Sequence, residues 1–111
     1  MEKNKNRQEL ILELEGFLKK RVFAIVYNPT IEEGIKEGDE KYIMHFVEEV
    51  IKKEDIKECI IILNGFGGHL KTAILCSHIL RRNVPRYECL VPSVIGSSLC
   101  YFVLLSDKLL I

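Results

Sequence analysis

Two segments of the chain carry residue types from which an enzyme site can be built. Residues 64–72 read Asn-Gly-Phe-Gly-Gly-His-Leu-Lys-Thr, and residues 91–100 read Val-Pro-Ser-Val-Ile-Gly-Ser-Ser-Leu-Cys. Adjacent glycines can expose backbone N–H groups to the oxyanion that develops during acyl transfer. A serine in the first turn of a helix can act as a nucleophile, although such a serine is more often an N-cap. The two segments are compatible with acyl-transfer chemistry, but neither decides for it alone, and a plain strand-to-helix turn is the alternative for each.

A phosphate-binding loop is the competing interpretation of the glycine-rich segment. Residues 65–72 nearly match the pattern Gly-x-x-x-x-Gly-Lys-Thr, but Leu70 stands where the second glycine must turn tightly against the phosphates. The dinucleotide pattern Gly-x-Gly-x-x-Gly breaks at the same residue. Nucleotide binding is therefore the less favoured hypothesis.

Composition excludes several other classes of function. The 111 residues include 16 basic and 16 acidic side chains, and the formal net charge is zero. Proteins that bind nucleic acid need an excess of Lys and Arg on one face, so no nucleic-acid partner is expected. The sequence lacks an N-terminal signal peptide and any run of about 18 apolar residues, which favours a cytoplasmic protein without a transmembrane segment. A chain of this length forms at most one domain, here residues 1–111.

The cysteines are typical of a core rather than of a metal centre. Cys59, Cys76, Cys89 and Cys100 are widely spaced and form no Cys-x-x-Cys pair. We therefore predict buried, free thiols. Cys76 and His78 are two positions apart on a predicted helix and do not face each other, so they cannot readily share a metal ion. We expect no metal and no cofactor.

Hydrophobic periodicity predicts alternating helices and strands around the two segments. An amphipathic helix is expected within residues 1–20, and the later elements are strands at 22–27, 59–63, 87–91 and 108–111 and helices at 40–53, 69–82 and 97–105. This order predicts an α/β fold with a mainly parallel sheet and functional loops at the carboxyl ends of the strands. Because a domain does not ordinarily end on a core strand, we expect a domain truncated at its C-terminus.

The spacing of the two segments resembles that of the serine dehydrogenase proteinase family, whose members are related to the Clp protease proteolytic subunit and to signal peptide peptidase A. The strand-Thr-Pro-Gly-Gly stretch of that family falls on residues 63–68. Its Val-Pro-x-x-Ala-x-Ser-Ala-Gly-Thr stretch falls on residues 91–100 without a gap, and its Ala-Asp-x-Ile segment falls on residues 106–109. The resemblance implies a Clp/crotonase-like fold of stacked β-α-β units and a serine peptidase that cleaves peptides or proteins.

The same resemblance implies roles for individual residues. It places the nucleophile on Ser97 and the oxyanion hole on the amides of Gly68 and Ser98, with Gly67 in the supporting loop. Its members take a His or Lys base from outside these motifs, and His69 is the candidate base or substrate contact in this chain. Members commonly form oligomers, so a homo-oligomer is expected. A non-catalytic member that keeps the fold for assembly or peptide binding is the alternative.

Several positions depart from the family pattern. Leu99 stands at a glycine position, Phe66 at a proline position and Ile95 at an alanine position. Their bulk predicts a narrower substrate groove. Asp107 follows the last predicted helix, where we expect its carboxylate to fix the turn by accepting local amide hydrogen bonds.

Overall fold

The protein is built on one sheet of parallel strands. The computed structural model describes residues 7–27, 34–65, 68–91 and 95–110. Four strands pair in the order in which they occur along the chain. They are β1 (Arg21–Val26), β2 (Glu58–Asn64), β3 (Arg86–Leu90) and β4 (Lys108–Leu110). The predicted α/β class and parallel sheet are confirmed.

Helical segments precede β1 and connect the strands, as the periodicity predicts. They are α1 (Arg7–Leu18), α2 (Glu40–Phe46) with a π-helical continuation (Val47–Lys52), α3 (Leu70–Asn83), and a 3₁₀ turn (Ser97–Leu99) that leads into α4 (Cys100–Leu105). The π-helical continuation differs from the regular helix expected there. Val47 and Ile51 of this continuation are buried. Ile56, which lies beyond its end, is buried as well. The Ile56 N–H donates to the carbonyl of Ile51, five residues earlier, which is the hydrogen-bond pattern of a π turn.

The core lies between one face of the sheet and the helices α2, α3 and α4. Successive strand residues point to opposite faces, so alternate residues of β2 and β3 share this core. Its buried side chains include Cys59, Ile61, Leu63, Tyr87 and Cys89 from the strands and Ala73, Cys76, Leu80 and Phe102 from the helices. On the opposite face Val22 and Ile60 are buried side by side, and α1 packs against β1.

The cysteines occupy the core as predicted, with one exception. All four thiols are free, and Cys59, Cys76 and Cys89 are buried. Burial raises the pKa of the Cys59 and Cys76 thiols to about 12 and that of Cys89 to about 11. Cys100 is only partly buried, and its thiol lies 3.5 Å from the carbonyl oxygen of Gly96.

Arg81 of α3 links the amino end of β3 to the chain that leads into β4 through hydrogen bonds. Its guanidinium donates hydrogen bonds to the carbonyls of Leu105, Val84 and Pro85 at 2.9, 2.9 and 2.6 Å. It also donates to the carboxylate of Asp107 at 3.0 Å. The same Asp107 oxygen accepts the N–H of Tyr87 at 2.9 Å. The acceptor role expected for Asp107 is present, but its amide partner lies on β3 and not in the local turn.

This ion pair makes the stability of the fold depend on pH in the acid range. Hydrogen bonds from Arg81 and from the Tyr87 amide lower the pKa of Asp107. Such a group stabilises the folded state fully above its unfolded pKa of about 3.9, and that contribution is lost as the pH falls through the lower folded value. We therefore expect Asp107→Asn to lower the free energy of unfolding near pH 7, with a difference from wild type that shrinks towards about pH 2.

Urea unfolding at a series of pH values measures this difference. Asp55→Asn is the matched control, because the Asp55 carboxylate pairs with Lys57 at the surface, where ion pairs contribute little. A constant difference between Asp107→Asn and wild type across the acid range would contradict the role assigned to Asp107.

Candidate functional site

The two segments singled out in the sequence lie side by side at the carboxyl edge of the sheet. β2 and β3 are parallel neighbours, so the chain leaves both strands at the same edge. Their pairing continues past the strands as an isolated parallel bridge between Gly65 and Ile95. The Gly96 N–H donates to the carbonyl of Gly65 at 2.8 Å. The glycine-rich segment and the serine-containing segment are therefore joined through their backbones.

Gly65 is required where these backbones converge. Its φ is +139°, a region that residues with a side chain rarely adopt. A Cβ at this position would also lie 2.8 Å from the Cβ of Tyr27. Tyr27 directly follows β1, and its N–H donates to the carbonyl of Asn64 at 2.9 Å. The glycine thus allows the ends of β1 and β2 and the Ile95 bridge to lie together.

The structure brings Gly68 and Ser98 into direct contact. The Ser98 side chain is almost fully buried, with the residue 5% exposed, and its Oγ donates to the carbonyl oxygen of Gly68 at 2.9 Å. Ser97 is the first residue of the 3₁₀ turn, at the start of a helix as predicted. Only its backbone belongs to the described part of the chain, and Gly67 lies outside the described residues.

Gly68 also packs against a segment that the sequence did not connect with the site. A Cβ on Gly68 would lie 2.3 Å from the carbonyl oxygen and 2.6 Å from the nitrogen of Ile35. The N–H of His69 donates to that Ile35 carbonyl at 2.8 Å. Gly68 is therefore needed for close packing of two backbones, whatever its amide does. The sequence feature that could have indicated this contact is Ile35 itself, an apolar residue within a predicted loop.

His69 is the N-cap of α3. Its Nδ1 accepts the Thr72 N–H at 3.3 Å and lies 2.7 Å from the Thr72 hydroxyl. A neutral imidazole whose Nδ1 accepts carries its proton on Nε2, which is then a hydrogen-bond donor. In this arrangement the cap occupies Nδ1 and Nε2 offers an N–H donor. The roles of His69 as a base and as a substrate contact both stay predictions.

The expected narrowing of a substrate groove is wrong for Leu99. Its side chain is fully buried and belongs to the core cluster. The larger residue therefore fills the interior beneath the 3₁₀ turn. Ile95 is partly buried and packs against the same core. Phe66 lies outside the described residues.

A cavity that the sequence did not predict lies between β1 and α2. Its volume is about 420 Å³, within the range of small-ligand sites. Apolar side chains line most of it, including those of Phe23, Ile25, Ile43 and Phe46. At one end the Tyr27 hydroxyl donates to Asp39 at 2.9 Å, and burial followed by this hydrogen bond raises the pKa of Tyr27. Ile35 lines the cavity as well, so the cavity adjoins the segment that packs against Gly68.

Within residues 7–27, 34–65, 68–91 and 95–110, no three His, Cys, Asp or Glu side chains are grouped so that they could hold a metal ion. None of the helices in these ranges has the length and apolar character needed to cross a bilayer.

Comparisons with known proteins do not assign the chain to a family. Neither protein-family models, nor curated proteins, nor solved structures give a match. The functional argument therefore depends on the residues and contacts of the two segments.

Two substitutions at His69 separate its capping role from a role in proton transfer. Asn is a good N-cap, so His69→Asn should keep the stability of α3 while it removes the imidazole. His69→Ala should have a free energy of unfolding about 0.5–2 kcal/mol lower than that of His69→Asn, because alanine cannot accept the Thr72 N–H. If Ser97 is the nucleophile that the resemblance implies, His69→Asn should retain its reactivity towards a fluorophosphonate. Thermal unfolding and labelling of both variants provide the test, and loss of labelling in a stable His69→Asn protein would identify His69 as the base.

Proposed function

We propose that the chain is a serine peptidase-like protein in which Ser97 is the nucleophile and the amides of Gly68 and Ser98 form the oxyanion hole. The hydrogen bond from Ser98 Oγ to the Gly68 carbonyl, at 2.9 Å, carries this proposal. It holds together the residues that the family resemblance assigns to the two donors. The Ser98 N–H lies in the first turn of a helix, where amides lack an intrahelical acceptor, which suits it to bind a substrate oxygen.

The arrangement of the strands supports a Clp/crotonase-like fold as part of this proposal. Each strand pairs with the next one along the chain, and all four are parallel. Helices α2, α3 and α4 contribute to one core on the same face of the sheet. The chain therefore advances in one direction along the sheet through successive β-α-β units, and this order supports the stacked units that we propose.

The proposed reaction begins with attack by the Ser97 hydroxyl oxygen on a peptide carbonyl carbon. A bond forms between these atoms, the π electrons move to the carbonyl oxygen, and two N–H groups stabilise the resulting oxyanion. The hydroxyl proton passes to a base, a His or Lys side chain that the resemblance places outside the two motifs. The C–N bond then breaks, the amine leaves with a proton, and water hydrolyses the acyl-enzyme.

Assembly or peptide binding without catalysis is the second candidate function. Large apolar side chains are exposed at both ends of the chain, with Phe17 of α1 83% and Leu104 of α4 72% exposed. Exposed apolar side chains, when contiguous, commonly mark surfaces that bind another protein. A homo-oligomer that holds peptides without cleaving them would use such surfaces.

Labelling with a fluorophosphonate tests the catalytic proposal directly. Wild-type protein should be labelled at Ser97 and should hydrolyse peptides, and Ser97→Ala should reduce both to background because the nucleophile is gone. Ser106→Ala is the matched control, since the Ser106 hydroxyl donates to the Val103 carbonyl at the end of α4. Peptide mapping by mass spectrometry locates the modified residue. Labelling that persists in Ser97→Ala would reject the assignment, and a folded but unreactive wild-type oligomer would favour the second candidate.

A further inference from the structure

We propose that the hydroxyl of Ser98 is a positioning group that holds the two oxyanion donors at a fixed separation. This inference rests on the proposed function, because it takes the amides of Gly68 and Ser98 as those donors. It adds a role for the side chain of Ser98 that is separate from the role of its amide. The motif that this chain resembles has alanine at position 98, so the general chemistry does not itself demand a hydroxyl there.

The first step of the argument is the short connection between the two amides. Ser98 Oγ donates to the Gly68 carbonyl at 2.9 Å. The donating oxygen and one proposed donor amide both belong to Ser98. The accepting carbonyl and the other proposed donor amide both belong to Gly68. One side-chain hydrogen bond therefore connects the two residues that supply the proposed donor amides. An oxyanion hole stabilises developing charge best when its donors are already in place.

The second step is that the Gly68–His69 peptide is held from two directions. Its carbonyl accepts from Ser98, and its N–H donates to the Ile35 carbonyl at 2.8 Å. The Gly68 Cα is confined as well, because a Cβ there would overlap the backbone of Ile35. Loss of the Ser98 hydroxyl would leave one of these two protein hydrogen bonds. The Gly68–His69 peptide could then rotate and shift the Gly68 Cα, to which the proposed donor nitrogen is attached.

The third step concerns what holds Ser98 itself. Its neighbour Leu99 is fully buried in the core, so the 3₁₀ turn is anchored immediately after Ser98. On the other side, the Gly96 N–H is bonded to the Gly65 carbonyl at 2.8 Å. Ser98 thus lies in a turn that is held on both sides, and the hydrogen bond from its hydroxyl restricts the motion of Gly68.

Gly68 itself is exposed to solvent. The hydrogen bond between Ser98 and Gly68 is only partly buried, so water can solvate the Gly68 carbonyl when the hydroxyl is missing, and the global fold should tolerate Ser98→Ala. A water molecule does not fix the separation of the two amides. The substitution should consequently affect the chemical step more than stability.

The rate of fluorophosphonate labelling at Ser97 provides the first test. For Ser98→Ala we expect the maximal labelling rate to fall about tenfold with the half-saturating reagent concentration unchanged, a smaller loss than the complete removal of a donor. Ser77→Ala is the matched control, because Ser77 is a buried serine whose hydroxyl donates to the Ala73 carbonyl within α3. The control should label at the wild-type rate. Wild-type labelling of Ser98→Ala would overturn the proposal.

Hydrogen exchange of the His69 amide, measured by NMR, provides a second test that does not need activity. Ser98→Ala should increase the exchange rate of this amide about tenfold, while amides of β2 and the Ser77→Ala control stay unchanged. Unchanged exchange at His69 would overturn the coupling. If wild-type protein is not labelled at all but Ser98→Ala accelerates exchange at His69, the proposed function fails and the coupling between the segments stands.

Discussion

The candidate site depends on the parallel pairing of β2 with β3 and on its continuation past the ends of both strands. The bridge between Gly65 and Ile95, closed by the hydrogen bond from the Gly96 N–H to the Gly65 carbonyl, aligns the two segments that follow these strands. Parallel strands leave a sheet at one edge, so this alignment follows from the topology. Without it, the hydrogen bond from Ser98 to Gly68 would be lost, and with it the support for the proposed oxyanion hole.

Close approach of backbones explains the glycines at this edge at least as well as catalysis does. Gly65 and Gly68 each lie where a Cβ would overlap another part of the main chain or its first side-chain atom. The proposed oxyanion amide is therefore attached to a residue that packing also requires to be glycine. A substitution at Gly68 would disturb packing and donor position together, so the Ser98 hydroxyl offers a cleaner means to examine the donor geometry.

Periodicity predicts the strands and the regular helices, because strands and helices impose different spacings on apolar residues. The run from Cys59 to Leu63 and the stripe of α3 are examples. The site was less predictable, since it depends on contacts between distant segments. The local sequence around Ile35 does not indicate its contact with Gly68, and histidine is uncommon as an N-cap, so the sequence does not single out His69 as one. Comparison with a family glycine predicts Leu99 beside a groove, whereas its apolar side chain is buried in the core.

Detection of the hydrogen bond between the Gly96 N–H and the Gly65 carbonyl tests the account most directly. In protein labelled with ¹⁵N and ¹³C, NMR detects scalar coupling across a backbone hydrogen bond and so identifies the acceptor carbonyl. We expect the Gly96 nitrogen to couple to the Gly65 carbonyl carbon. Coupling of the Gly96 nitrogen to a different carbonyl, or an unprotected Gly96 amide, would show that the two segments are not joined and would contradict the account.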